Sequence, residues 1–111
     1  MHRLITKCLI AALLLVMLPL QVIAQNRLSI AQVKDGLHVI TGPGGNIGVR
    51  VTSEGVILID DKFPQDFDEI QSLVATVSDS PVRYVINTHH HGDHSGSNAS
   101  FLQVAEIIAH K

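Results

Sequence analysis

Four histidines and an aspartate crowd into six consecutive positions, His89-His90-His91-Gly92-Asp93-His94, directly behind the apolar run from Val82 to Ile86. A short apolar run between Ser80-Pro81 and a polar segment has the composition of a buried strand. This stretch constrains the fold most, because a buried strand must deliver several imidazoles and a carboxylate to one place. Imidazole nitrogen and carboxylate oxygen are the donors that Zn²⁺ and similar divalent ions take, and one ion needs several of them convergent. In an extended segment positions i and i+2 project to the same side, so His89 and His91 can grip one ion while His90 points away. Gly92 lets the chain turn sharply and bring Asp93 and His94 back toward the same space. Ligands arranged as two adjacent pairs predict two metal ions lying close together. The competing interpretation, a histidine-rich solvated loop or histidines satisfied by core hydrogen bonds, leaves the spacing unexplained.

Written as H-x-H-x-D-H, with Thr88 before it and Ser95-Gly96-Ser97-Asn98 after it, the stretch resembles the signature of the metallo-β-lactamase superfamily. Many relatives carry two glycines where this chain has Ser95-Gly96-Ser97. The resemblance implies that His89 and His91 hold a first metal ion and Asp93 and His94 a second, with Zn²⁺ as the expected metal. Iron and manganese also suit a mixed His/carboxylate site. It further implies hydrolysis of a small-molecule substrate, a metal-activated hydroxide attacking an ester, lactone or β-lactam type bond. Asp93 is then also catalytic, passing a proton to the leaving group.

Upstream, the all-apolar run Val56-Ile57-Leu58-Ile59 ends in Asp60-Asp61. The C-terminal end of such a strand is where α/β-type sheets commonly place active-site groups. In the superfamily an aspartate at this strand end hydrogen-bonds the metal-binding loop without touching the metal. Asp60 matches that position, and outer carboxylates of this kind orient ligating imidazoles. Asp61 stands where relatives carry Thr or another small polar residue, and reads as a surface acid.

The remaining pattern is mostly β at first. Leu28–Val33, Leu37–Ile40 and Ile47–Thr52 read as strands before the Val56 run, with His38 inside a strand as a structural residue. The glycine-rich connection from Thr41 to Asn46 lacks the Gly-Lys-Ser/Thr ending of a phosphate cradle and reads as a wide hairpin turn. In relatives the corresponding loop can border the active-site cleft. Residues 64–78 form an amphipathic helix with Phe67, Ile70, Leu73, Val74 and Val77 on one stripe, Asp66 and Glu69 giving a capping-box-like start. A short helix over Ala99–Val104 and a strand over Glu106–Ala109 follow, and His110 matches no ligand. This order predicts an α+β fold and resembles the N-terminal half of the superfamily's αββα sandwich, incomplete in this chain. Further ligands, a His, an Asp and a last His, stand downstream in the superfamily and are not reached by Lys111. The chain is therefore expected to be the N-terminal portion of a longer protein. The alternative is a truncated, catalytically inactive metal-binding fragment or a histidine-rich metal carrier.

Residues 1–24 have the pattern of a secretory signal peptide: Arg3 and Lys7, the apolar run Cys8–Leu18, Pro19, then Val22-Ile23-Ala24 before the cut. An uncleaved anchor would need about 20 apolar residues, and this run is shorter. Cleavage after Ala24 predicts a periplasmic or secreted product, residues 25–111, with no membrane attachment. It also removes the only cysteine, Cys8, so no disulfide framework is expected. The chain has a formal net charge of −2 and no basic patch, which excludes nucleic acid as a partner class.

Overall fold

The computed structural model describes residues 26–111; the expected signal peptide lies outside them. Four strands, β1 (Ser29–Lys34), β2 (Leu37–Thr41), β3 (Ile47–Thr52) and β4 (Gly55–Ile59), form an antiparallel meander. After a 3₁₀ turn, Pro64–Asp66, comes helix α1 (Phe67–Ala75), which returns the chain to β5 (Val82–Ile86), parallel to β4. The one-turn helices α2 (Gly92–Ser95) and α3 (Asn98–Phe101) then lead to β6 (Glu106–Ile108), parallel to β5. The result is one six-stranded sheet in the order β1-β2-β3-β4-β5-β6.

Alternation sorts the side chains between the two faces. Val49, Leu58 and Val85 stand in register across β3, β4 and β5, and all three are fully buried. Ile70 and Val74 of α1, with Phe101 of α3, complete this core. Each such apolar side chain contributes about 2 kcal/mol when removed from water. Phe67 packs edge-on against Phe101, ring centroids 4.8 Å apart, while Leu73 and Val77 line the core margin. The stripe read from the sequence is therefore the packed face of α1, except that the helix ends at Ala75 rather than at residue 78 and Val77 packs from the turn that follows. The opposite face of the sheet carries Val39, Ile57, Ile59 and Ile86, together with the more exposed Tyr84 and Ile108. One sheet with its helices on one face and an apolar second face is half of an αββα sandwich, as expected.

The helix start differs from the expectation. Residues 64–66 are 3₁₀, and Asp66 makes no side-chain cap to α1. Instead its carboxylate accepts the Phe63 N–H at 3.2 Å and the Arg27 guanidinium at 2.8 Å, and Glu69 accepts the Leu28 N–H at 2.9 Å. Asp66 thus caps the 3₁₀ turn at Phe63 rather than α1, and both acids also bind the segment that enters β1.

Candidate metal centre

Because β4 and β5 run in parallel, with Ile59 beside Ile86, both deliver their C-terminal ends to the same edge. The Asp60 N–H extends the ladder by donating to the Ile86 carbonyl at 2.9 Å. Asp60 then turns into the left-handed region, φ 68°, followed by Lys62 at φ 58°. For residues with a Cβ this conformation costs roughly 1 kcal/mol each. At Asp60 it is held by the side chain's own contacts. One carboxylate oxygen, Oδ1, accepts the Thr88 N–H at 2.7 Å. The other, Oδ2, accepts the Thr88 hydroxyl at 2.7 Å and faces His94 Nδ1 at 2.6 Å.

This network fixes both imidazoles. A carboxylate only accepts, so His94 presents Nδ1–H to Asp60. The single Thr88 hydroxyl proton also goes to Asp60, so the 2.8 Å contact between Thr88 Oγ1 and His89 Nδ1 takes its proton from the ring. In their neutral forms both rings therefore carry the proton on Nδ1 and the lone pair on Nε2. His94 Nε2 lies 3.5 Å from Asp93 Oδ2. Two donors on one tetrahedral zinc at about 2.0–2.1 Å stand roughly 3.3 Å apart, so this pair fits an ion as it stands. The His89 ring lies 4.1 Å from His94 and 4.7 Å from His91 between centroids.

Asp60, His89 and His94 each bring one donor-type atom within 4.8 Å of the others. Asp60 is nevertheless the least suited of the three to bind an ion, since both its oxygens already serve Thr88 and His94. Of the other two expected ligands, Asp93 stands beside His94 and the His91 ring is edge-on to His89, but neither belongs to that convergent group. His90 stands edge-on to His91, centroids 5.0 Å apart, and borders a cleft of about 550 Å³ together with Asn98 and His110.

Two local expectations need correction. The sharp return of the chain does not depend on Gly92: its φ is not positive and a Cβ there would meet open space. Helix α2 makes the return, with the extended His91 at its head and the His94 and Ser95 N–H groups donating to the His91 carbonyl, both at 3.0 Å. Asp61 is not a surface acid but fully buried. Its N–H donates to the His94 carbonyl at 2.9 Å, and its Oδ1 accepts the Ser97 N–H at 3.1 Å. Its Oδ2 has no partner among the described residues. Burial pushes this carboxyl up to about 7; the Ser97 N–H opposes the rise and the Asp60 charge adds to it.

The Thr41–Asn46 connection is a hairpin turn that also lies against the site. The Gly45 N–H donates to Asp93 Oδ2 at 2.9 Å. A Cβ on Gly45 would fall 2.3 Å from His94 Cε1, and one on Gly44 would fall 2.8 Å from Asp93 Cβ, so only glycines let the backbone come this close.

Residues 40–110 match the metallo-beta-lactamase superfamily. Solved structures share the fold. A subclass B3 metallo-beta-lactamase of Bradyrhizobium japonicum is 28% identical with a TM-score of 0.62 over 70% of this chain and 31% of its own. The metallo-beta-lactamase FIM-1 of Pseudomonas aeruginosa, in its mono-zinc form, is 18% identical with a TM-score of 0.65 over 75% of this chain and 42% of its own. A metallo-beta-lactamase of Hirschia baltica is 22% identical with a TM-score of 0.64 over 76% and 43%. This chain thus spans less than half the length of these solved relatives. No curated protein matches it. With the signature loop, the strand-end aspartate and the sheet all in place, the chain belongs to the metallo-β-lactamase superfamily.

Proposed function

We propose that the protein is an exported metal-dependent hydrolase that holds two Zn²⁺ ions, His89 and His91 toward one and Asp93 and His94 toward the other. The observation that carries this reading is the Asp60–Thr88 network. It leaves the Nε2 lone pairs of His89 and His94 free, one of them beside the Asp93 carboxylate. When bound, the ions would lower the pKa of water toward neutrality and polarise a scissile carbonyl. The chain's own groups do the rest. Asp60 holds the two rings in one tautomer, and the Gly45 N–H fixes one lone pair of Asp93 Oδ2. The rest of the Asp93 carboxylate can take a proton and pass it to a leaving group. The bond class that suits this chemistry is an ester, lactone or β-lactam in a small molecule.

The test is metal analysis of the purified protein with turnover of chromogenic β-lactam, lactone and ester substrates, before and after chelation. Chelator-sensitive turnover supports the hydrolase. Bound metal with no turnover of any substrate supports the second reading, a metal-binding chain without catalysis. Protein that takes up no metal overturns both.

Asp60→Asn tests the network itself. The amide places a donor opposite His94 Nδ1, so that ring moves its proton to Nε2 and loses the lone pair offered to the metal. Metal affinity is expected to fall about 10–100-fold. Nitrogen NMR of the ring should show the Nε2–H tautomer; an unchanged tautomer would remove Asp60 from this role.

Export has its own check. N-terminal sequencing of the protein recovered from cells is expected to begin at Gln25, and Met1 retained on a membrane-bound product would contradict cleavage.

A further inference from the structure

Lys62 is the one fully buried cation among the described residues, and nothing in the ligand set accounts for it. A buried lysine is costly unless its ammonium finds partners, and here burial does pull its pKa down, with the charges of Asp66 and Asp93 acting against the fall. Its Nζ donates to the Gly45 carbonyl. The N–H of the same residue donates to Asp93 Oδ2 at 2.9 Å. One residue, Gly45, thus stands between a buried ammonium and an expected metal ligand, its carbonyl on the lysine and its N–H on the carboxylate. The Lys62 carbonyl in turn accepts the Gly96 N–H at 2.7 Å, fastening the far end of α2. Lys62 therefore touches both walls beside Asp93 and His94: the glycine turn by its side chain and the helix by its backbone.

We propose that Lys62 is a positioning residue for the Asp93–His94 metal pair, acting through the Gly45 backbone. The side chain clamps the glycine turn against the site, which keeps the Gly45 N–H on one lone pair of Asp93 Oδ2 and leaves the carboxylate aimed at His94 Nε2. Among the described residues neither the His89 nor the His91 side chain is bonded to Gly45 or to the Lys62 ammonium; His91 meets the α2 wall only through its backbone carbonyl, and His89 Nδ1 is fixed by Thr88. The effect of Lys62 should accordingly fall on one metal equivalent and spare the other. This inference rests on the reading that Asp93 and His94 hold an ion.

The test is Co²⁺ titration of the protein in competition with a chelator, followed in the visible spectrum, for wild type, Lys62→Met and Lys62→Gln. Wild type taking up two equivalents supports the site assignment; uptake of fewer than two overturns that assignment and this proposal with it. Given two, Lys62→Met is expected to weaken one equivalent about tenfold and leave the other within twofold. Lys62→Gln keeps a donor near Gly45 without the charge and should lose less. Equal weakening of both equivalents, or no change in either, would overturn the proposal while leaving the site assignment intact. Loss of cooperative unfolding in both variants would also overturn it, by making Lys62 a folding residue.

Discussion

In the intact protein, His89→Ala or His91→Ala should release one metal equivalent and lower turnover by about 10³-fold, whereas His90→Ala should keep both ions and most of the activity. A lost Lewis acid removes several kcal/mol of transition-state stabilisation, and each 1.36 kcal/mol is tenfold in rate. The asymmetry comes from placement. His89 lies between His91 and His94, and its Nδ1 is tied through Thr88 to Asp60. His90 has no tie to that network among the described residues, and its ring stands edge-on to His91. Metal content per chain and kcat are the measurements. Equal damage from His90→Ala and His91→Ala would show that His90 is a ligand and that the pairing is wrong.

Asp61→Asn should stabilise the metal-free protein at pH 8 by about 2 kcal/mol and flatten its pH dependence. The folded state holds this proton up to about pH 7, from an ordinary value of 3.8. Between those values the folded chain binds a proton that the unfolded chain releases, so stability falls as pH rises across the window and stays low above it. The shift corresponds to roughly 4 kcal/mol at 1.36 per unit, and the amide of the variant offsets part of it by putting an unpaired donor where Oδ2 now stands. Urea unfolding at pH 5 and pH 8 measures the slope for both proteins. Parallel slopes would mean that Asp61 is ionised in the fold.

The difference between Asp60 and Asp61 shows where sequence stops being informative. Both acids end the same apolar run, and their neighbours in the sequence do not distinguish a network carboxylate from a buried one. What separates them is the left-handed turn at Asp60, set by Thr88 and His94 from 28 and 34 residues away. The histidine cluster was legible because its residues are close neighbours in sequence, and the His89–His91 proximity survives the bend at Thr88 and His89 that replaces the expected extended segment. The α1 stripe was legible for the same reason. Lys62 was not: its partner at Gly45 is 17 residues back, and Gly45 reaches Asp93 across 48. A lysine between Asp61 and Phe63 reads as solvated until the turn that covers it is in place. Gly92 was misread because an ordinary helical turn does what a flexible glycine was expected to do.

The strand order also dictates a sequence of events in time. From β1 to β4 each strand pairs with its predecessor across a short turn, so the meander closes only small loops and can form early. The β4–β5 pair must wait for α1 to be laid down, because parallel neighbours need a long connection. Asp60 sits on the early side of that step, and Thr88, His89 and His94 on the late side. No metal-ready geometry exists until the crossover has docked, so an ion arriving during synthesis meets loose histidines first and oriented ones last. Under the proposed ligand set, tight metal capture would report that the crossover has docked, because an ion offered earlier meets only mobile side chains.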